Sequence, residues 1–211
     1  MSHTLHRRGQ VEDLAGDIVV FSMSAKGIND AGSAASLGRF LQLALRYGPV
    51  NIGDMKTGNR QCLPAEQIVG AVQDTSIVHA VFDNPAAVTG LLADLREARL
   101  GPSVIVSGLF GETGRCIERA GLRPHTTEYS LGIKGNLSRL EPDGFLRLIT
   151  MCGHGMVSAA LVRRTVLDLK RGRCSSEEAA SKLARPCECG VFSPRRAGPL
   201  LEELAGSLTV F

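Results

Sequence analysis

The 211-residue chain contains no tryptophan, only two tyrosines, and no apolar run approaching the roughly 20 residues that a membrane-spanning helix requires. The scarcity of aromatic rings argues against a stacking platform for single-stranded nucleic acid. Lysine and arginine are interspersed with acidic residues, and the net charge of +3 is too small to indicate binding to a polyanion. We therefore expect neither nucleic acid nor a membrane among the partners of the protein.

The segment from Met1 to Gly9 is basic, but no apolar stretch of signal-peptide length follows it. The chain has six cysteines. Without an export signal, they favour a reducing compartment, where thiols serve metals or catalysis more often than disulfides. We expect a cytoplasmic protein.

Short β-rich runs alternate with helical patterns from Asp17 to about Gly135. The predicted strands cover residues 18–22, 50–54, 77–82, 103–107 and 126–131, and the predicted helices cover 33–47, 64–73, 86–98 and 111–120. This alternation is typical of an α/β fold with a mostly parallel sheet and flanking helices. We assign residues 1–138 to an α/β ligand-binding domain.

The rest of the chain has a helical character. Its apolar residues recur at helical spacing from Ala159 to Leu169, and Ser175 with Glu178 forms a capping box for a further helix. The apolar run Phe145–Ile149 is ambiguous between strand and helix. We predict a helical, metal-binding module over residues 139–211.

The most specific motif in the chain is a set of three cysteines in this module. Cys152-Gly-His-Gly is followed by Cys187-Glu-Cys189-Gly. Two thiolates close together on the backbone and a third from a distant segment can converge on a soft metal ion or an iron–sulfur cluster. The competing interpretation is a set of unligated thiols in the core.

This part of the chain resembles the helical [2Fe–2S] domain of the molybdenum hydroxylases, the group of xanthine dehydrogenase and aldehyde oxidase. The similarity covers about the last third of the chain, in three segments that read Cys152-Gly-His-Gly-Met-Val-Ser-Ala159, Ser175-Ser-Glu-Glu-Ala-Ala-Ser-Lys-Leu183 and Pro186-Cys-Glu-Cys-Gly-Val-Phe192. The resemblance implies that Cys152, Cys187 and Cys189 bind a cluster. The family's first cluster cysteine corresponds to Ile149, which cannot bind a metal, so one ligand is missing.

Three solutions to the missing ligand are open. His154 could supply a nitrogen, another cysteine could join, with Cys62 as the preferred candidate, or the cluster could be a [4Fe–4S] with one open iron. An open iron can polarise a bound substrate as a Lewis acid. We expect [4Fe–4S] in preference to [2Fe–2S]. Zinc is the alternative, with a Cys₃His set made of Cys152, His154, Cys187 and Cys189, although Cys-x-Cys is tighter than the usual zinc spacing.

A shorter similarity leads to a different chemistry. Met151-Cys-Gly-His-Gly-Met-Val resembles the Met-Cys-Gly-His-Gly segment of proline racemase-like enzymes. That resemblance implies an acid–base role for Cys152. The second cysteine of that family lies in a Cys-Gly-Thr motif, which this chain lacks.

Polar residues cluster in the loops that follow the predicted strands, where open α/β sheets place their ligands. Lys26, Lys56, Thr57 and Arg60 are candidates to bind a carboxylate or phosphate, and Asp54 is a candidate proton carrier together with His154. These residues predict a small anionic ligand.

Together, these features favour an iron–sulfur enzyme, a lyase, hydratase or oxidoreductase, that uses an open iron on a small polar substrate. The alternatives are an electron-transfer protein with a redox partner, a zinc-stabilised binding module, and a racemase-like enzyme with cysteine acid–base chemistry.

Overall fold

In the computed structural model, which describes residues 3–207, five strands form one sheet between two layers of helices. The strands are β1 Ile18–Met23, β2 Asn51–Asp54, β3 Gly58–Asn59, β4 Ile77–Phe82 and β5 Ser103–Ser107. The helices are α1 Val11–Ala15, α2 Ser33–Leu45, α3 Ala65–Gly70, α4 Pro85–Ala98, α5 Phe110–Arg119, α6 Asp143–Ile149, α7 Ala159–Lys170, α8 Ser176–Ala184 and α9 Pro194–Ser207. A short 3₁₀ turn covers Leu137–Arg139.

The strand order is β3-β2-β4-β1-β5, and every pairing is antiparallel. The prediction of a mostly parallel sheet is therefore wrong. Strands β1 and β2, which α2 connects, do run in the same direction, but β4 lies between them; β1 lies in the same way between β4 and β5. This is the split β-α-β arrangement. Its sequence alternates strands and helices just as a parallel sheet does, so the local pattern does not distinguish the two.

The two faces of the sheet support separate cores. Ile18 and Val20 of β1 pack in the core beneath α2, α3, α4 and α5, whereas Val19 and Phe21 pack in the core shared with α6, α7, α8 and α9. Successive side chains of a strand point to opposite faces. Because helices cover both faces, the central strands are apolar along almost their whole length.

Local signals fix where several helices begin. The side chain of Asn84 accepts a hydrogen bond from the Ala86 N–H at the start of α4. Ser175 and Glu178 form the predicted capping box of α8. The capping box confirms the sequence analysis, because an N-cap depends only on residues within one turn.

Two segments differ from the sequence prediction. Residues 126–131 form no strand and are mostly exposed, because β propensity stabilises a strand only where a neighbouring strand and a buried face are present. The ambiguous run Phe145–Ile149 lies in α6, where Phe145, Leu146 and Leu148 face the core.

A group of ion pairs fixes the N-terminal segment, residues 3–10, to the helical layer. The Asp17 carboxylate is fully buried between Arg7 and Arg196, and the Arg196 Nη1 lies 2.9 Å from it. Asp13 lies 2.6 Å from both Arg147 and Arg196. Removing one member of such a buried group leaves an uncompensated charge, so the group constrains how residues 3–10 cross the molecule.

Within residues 3–207, each helix is too short or too polar to cross a lipid bilayer.

We expect the stability of the protein to depend on the ionisation of Asp13. Burial raises the pKa of this carboxyl group, but the Gln10 N–H and the guanidinium groups of Arg196 and Arg147 outweigh burial, and the net pKa lies below its ordinary value. The stabilisation is therefore complete above the ordinary pKa of about 3.9 and is lost as the pH falls through the lower pKa of the folded protein. Asp13→Asn should be less stable than the wild type at neutral pH, with the difference shrinking below about pH 4.

Urea denaturation across this pH range measures the effect. Glu202→Gln, on the exposed side of α9, is the control and should follow the wild type. A stability difference for Asp13→Asn that is constant with pH would contradict this assignment.

Candidate metal centre

Two loops of the helical layer bring the three predicted cysteines together. Cys152 follows α6, and Cys187 and Cys189 lie between α8 and α9; all three are buried. The Cys187 and Cys189 Sγ atoms are 3.8 Å apart, and the Cys152 thiol is hydrogen-bonded to Cys187. The Cys189 Sγ also lies 3.5 Å from the Nδ1 of His154, whose ring is exposed. The structure thus places all four sequence candidates in one cluster.

The sheet holds the second cysteine loop by close backbone packing. Gly53 of β2 faces this loop, and a Cβ atom on Gly53 would lie 2.6 Å from the carbonyl carbon and oxygen of Cys189. Gly190 has a positive φ of 76°, and a Cβ there would lie 2.5 Å from the carbonyl carbon of Ile52. Only glycine at both positions allows the backbones to approach this closely. This contact places the Cys189 backbone directly against the sheet.

Two buried amide side chains from the sheet satisfy carbonyl groups of the same loop region. The Asn59 Nδ2 donates to the carbonyl oxygens of Ala184, Arg185 and Cys187 at 3.1, 3.2 and 2.7 Å. The Asn51 Nδ2 donates to the Phe192 carbonyl at 2.9 Å. Asn59 thus supplies a hydrogen-bond donor at the C-terminal end of α8, where the last carbonyl groups have no partner within the helix.

The N-terminal segment contributes a histidine that the sequence analysis did not select. The backbone carbonyl of His3 lies against Gly153, whose positive φ of 75° and missing side chain leave room for it. The His3 ring stacks on the His154 ring with a centroid distance of 4.4 Å. Ligand atoms of His3, His154 and Cys189 all lie within 4.8 Å of one another.

His79 is a further histidine beside the cluster. It lies in the middle of β4, is fully buried, and is paired across the sheet with Gly53 and Phe21. Because Cys189 packs against Gly53, His79 lies next to the cysteine loop. Its ring is 5.1 Å from the Phe21 ring and 5.3 Å from the His3 ring, and neither of its ring nitrogens has a hydrogen-bond partner within residues 3–207.

The protein environment keeps several of these groups neutral. Burial, with a smaller effect of His154, lowers the pKa of His3 to about 4, and burial with His3 holds the pKa of His79 well below its ordinary value. The hydrogen bond that the Cys152 thiol donates to Cys187, together with burial, raises the pKa of Cys152. The contact with Cys152 lowers the pKa of Cys187, but Cys189 and burial outweigh it and raise that pKa to about 12. Neutral imidazoles and crowded thiols are a donor set that a cation would stabilise.

The predicted proton carrier Asp54 lies on the opposite face of the sheet. It is paired in register with Val78, which belongs to the core beneath α2–α5. Its carboxylate is buried and accepts hydrogen bonds from the hydroxyl groups of Thr57 and Ser76, both at 3.0 Å. Through these hydrogen bonds, Asp54 and Thr57 stabilise the turn after β2.

The predicted anion-binding cations are exposed in loops and do not converge on the cysteines. The Lys56 Nζ donates to the Thr75 hydroxyl at 2.9 Å, and the Arg60 Nη1 donates to the Pro49 carbonyl at 2.7 Å. Lys26 is exposed in the loop after β1. Within residues 3–207, no hydrogen bond or ion pair joins these three residues to the cysteine–histidine cluster.

Cys62 is exposed and lies outside the cluster. Its Sγ is 3.5 Å from the Arg185 carbonyl, close to the end of α8. A separate cleft of about 930 Å³ lies along β5, between the N-terminal segment and residues 122–130. None of the three clustered cysteines lines this cleft. A small ligand bound there would be separate from the metal centre.

The sequence contained a weak signal for one of the two missed histidines. His79 interrupts the otherwise apolar strand 77–82, and a polar residue in the centre of a buried strand needs an explanation. His3 lies in a segment without periodic pattern, and only the tertiary structure brings it to His154.

We expect Gly53→Ala to displace the cysteine loop. The added methyl group overlaps the Cys189 backbone, and overpacking of this kind costs about 2 kcal/mol. The unfolding free energy should fall, and Cys187 and Cys189 should react faster with a thiol reagent in the native protein. The control is Gly70→Ala, at the exposed end of α3, where a Cβ meets nothing within 4 Å. Equal thiol reactivity in both variants would show that the close contact does not position the loop.

We expect Asn59→Ala to destabilise the protein by about 3 kcal/mol, because three carbonyl groups at the end of α8 lose their shared donor in a buried site. The matched control, Asn136→Ala, removes an exposed amide that caps only the 3₁₀ turn, and it should cost less than about 1 kcal/mol. Chemical denaturation of both variants measures the difference. Similar losses in the two would contradict the role assigned to Asn59.

Comparisons of the chain with protein-family models, with curated proteins and with solved structures find no match. The resemblances to the molybdenum hydroxylase domain and to the racemase-like enzymes therefore remain similarities of short segments.

Proposed function

We propose that this is a metal-binding protein whose cysteine–histidine cluster holds a thiophilic ion of the zinc type through Cys152, Cys187, Cys189 and His154. The proposal rests on the distances between neighbouring ligand atoms in this cluster. For tetrahedral zinc, with bonds of about 2.3 Å to sulfur and about 2.0 Å to nitrogen, neighbouring ligand atoms are about 3.8 Å apart for two sulfurs and about 3.5 Å for sulfur and nitrogen. The Cys187–Cys189 and Cys189–His154 distances are 3.8 and 3.5 Å.

The electrostatics of the cluster support the same proposal. Without a cation, the hydrogen bond to Cys187 and burial raise the pKa of Cys152, and repulsion between the two adjacent thiolates adds to this effect. A divalent ion between the sulfurs removes this repulsion, and binding releases the thiol protons. The arrangement is thus unfavourable for thiolates alone and favourable for thiolates with a metal.

The fixed position of the cysteine loop also supports the proposal. The cysteine loop is fixed to β2 through Gly53 and to β3 through Asn59, so the loop geometry does not depend on the metal. A loop that is already held in this way loses less conformational entropy when an ion binds. The ion would join the α6–α7 and α8–α9 loops and fasten the helical layer over the sheet.

An iron–sulfur cluster is the competing interpretation for the same cysteines. In a [4Fe–4S] cubane each iron takes a single cysteine, so two thiolates of the protein do not share an ion. The contact between Cys187 and Cys189 fits ligands of one ion better, either zinc or one iron of a [2Fe–2S] cluster that also uses histidine. The open-iron enzyme and the electron-transfer protein remain predictions. The full burial of Cys152 does not favour acid–base chemistry on a substrate.

Metal analysis of anaerobically purified protein tests the proposal. We expect zinc in the wild type with little iron or acid-labile sulfide, and loss of the zinc in Cys187→Ser. Cys62→Ser is the matched control, because that thiol is exposed and outside the cluster. Its zinc content should equal that of the wild type.

Two results would overturn the proposal. Iron and sulfide in equal amounts, lost in Cys187→Ser, would replace zinc by an iron–sulfur cluster. Protein that contains no metal and also fails to take up Zn²⁺ or Co²⁺ after reduction would show that the cluster is a set of core thiols.

A further inference from the structure

Strand β5 forms an open edge of the sheet. It is the last strand in the order β3-β2-β4-β1-β5, and it pairs with β1 alone. The strand at the opposite edge, β3, has only two residues, whereas β5 has five. Proteins commonly block an exposed edge with a charged residue, a proline or a bulge, because its free main-chain groups can pair with another strand. The sequence Ser-Val-Ile-Val-Ser of β5 contains neither a charged residue nor a proline.

The register of the sheet shows which groups of β5 face the open edge. Opposite residues of an antiparallel pair alternate between hydrogen-bonded and non-hydrogen-bonded positions. The Met55 N–H donates to the Ile77 carbonyl at 3.2 Å, so Ile77 and every second residue after it in β4 bond to β2. Carried through β1, this alternation directs the main-chain groups of Val104 and Val106 outward. Within residues 3–207, these groups have no hydrogen-bond partner in a loop or a side chain.

A cleft lies along this edge, between β5, the N-terminal segment and residues 122–130; we call it the β5 cleft. Its volume of about 930 Å³ is within the range of ligand-binding clefts. Three large apolar side chains that line it are exposed, Val104 by 37%, Phe110 by 59% and Tyr129 by 64%. Exposed apolar side chains gathered at one cleft are typical of a binding surface.

The lining of the β5 cleft also contains buried polar atoms without partners. The Arg7 and Asp17 side chains are only 5% and 0% exposed. Both residues line the cleft, and the Arg7 Nε and the Asp17 Oδ1 make no hydrogen bond within residues 3–207. Native structures rarely leave such atoms unpaired unless a ligand or a water molecule uses them. The lining thus offers a free donor and a free acceptor in addition to those of the strand edge.

These features define the chemistry of a ligand. Val104 and Val106 present N–H donors and carbonyl acceptors in alternation, and the main chain of an extended peptide matches this pattern. On the rim of the cleft, Arg96 and Arg123 outnumber Glu128, and Arg123 has no carboxylate partner within residues 3–207. Charge complementarity therefore favours a peptide that carries an acidic group.

We infer that the β5 cleft binds a short extended peptide with an apolar side chain and an acidic group, and that the peptide pairs with the open edge of β5 as a further strand. Main-chain hydrogen bonds to Val104 and Val106 hold the peptide, and the exposed side chains of Phe110 and Tyr129 contact its apolar residue. None of the three clustered cysteines lines the cleft, so peptide binding does not depend on the metal centre.

Nuclear magnetic resonance titration of the full chain with synthetic peptides tests the inference. The probes are acetylated heptapeptides that alternate valine with threonine and end in either aspartate or lysine. We expect saturable binding of the aspartate peptide, weaker binding of the lysine peptide, and slower solvent exchange of the Val104 and Val106 amides in the complex. An aspartate peptide with alternate nitrogens methylated keeps its side chains but loses main-chain donors along one edge. It should bind about tenfold more weakly or not at all.

A pair of variants tests the strand edge itself. Val104→Pro removes an outward N–H that forms no bond within the sheet, and it should weaken binding of the aspartate peptide by about tenfold. Val104→Thr keeps this N–H and the branched shape of the side chain, and it should bind like the wild type. If circular dichroism shows that Val104→Pro does not fold, the methylated peptide decides the question with the wild-type protein.

Three results would overturn the inference. The first is the absence of saturable binding by both probes. The second is equal binding of the methylated and unmethylated peptides, which would show that the main chain is not recognised. The third is dimerisation of the protein that Val104→Pro abolishes, without peptide binding, which would assign the open edge to a second copy of the chain.

Discussion

The contact between the backbones of Gly53 and Cys189-Gly190 is the constraint on which the cysteine–histidine cluster depends. It allows the cysteine loop to lie directly on the sheet, without a layer of side chains between them. The sheet can then place His79 beside Cys189, and the buried amide of Asn59 can bind the carbonyls that precede the loop. A side chain at either glycine would separate the two layers and remove all of these contacts at once.

The ion pairs of the N-terminal segment have a related role. Asp17 pairs with both Arg7 and Arg196 and so ties residues 3–10 to α9, and the segment then carries His3 over Gly153 to the stacked position on His154. The cluster is thus assembled from four separate parts of the chain. Such a site requires the complete fold, because none of its segments could place the other donors alone.

The sequence predicted the local features and missed the long-range ones. Capping by Ser175 depends on neighbouring residues, and the motif at Cys152, Cys187 and Cys189 depends on chemistry within short segments. The direction of neighbouring strands depends instead on which strand is inserted between two others, and no local pattern records that order. Proximity of His3 to Cys189 has the same origin, and for this reason the sequence analysis missed both the antiparallel sheet and the positions of His3 and His79 beside the cysteine loop.

The measurement that tests the central claim most directly is X-ray absorption at the metal edge of the purified protein. A cysteine–histidine site should give a first shell of sulfur at about 2.3 Å together with nitrogen at about 2.0 Å. A shell of oxygen and nitrogen alone would place the metal elsewhere on the protein. Iron with bridging sulfide and short iron–iron distances would contradict zinc-type binding and would show that the three cysteines bind an iron–sulfur cluster.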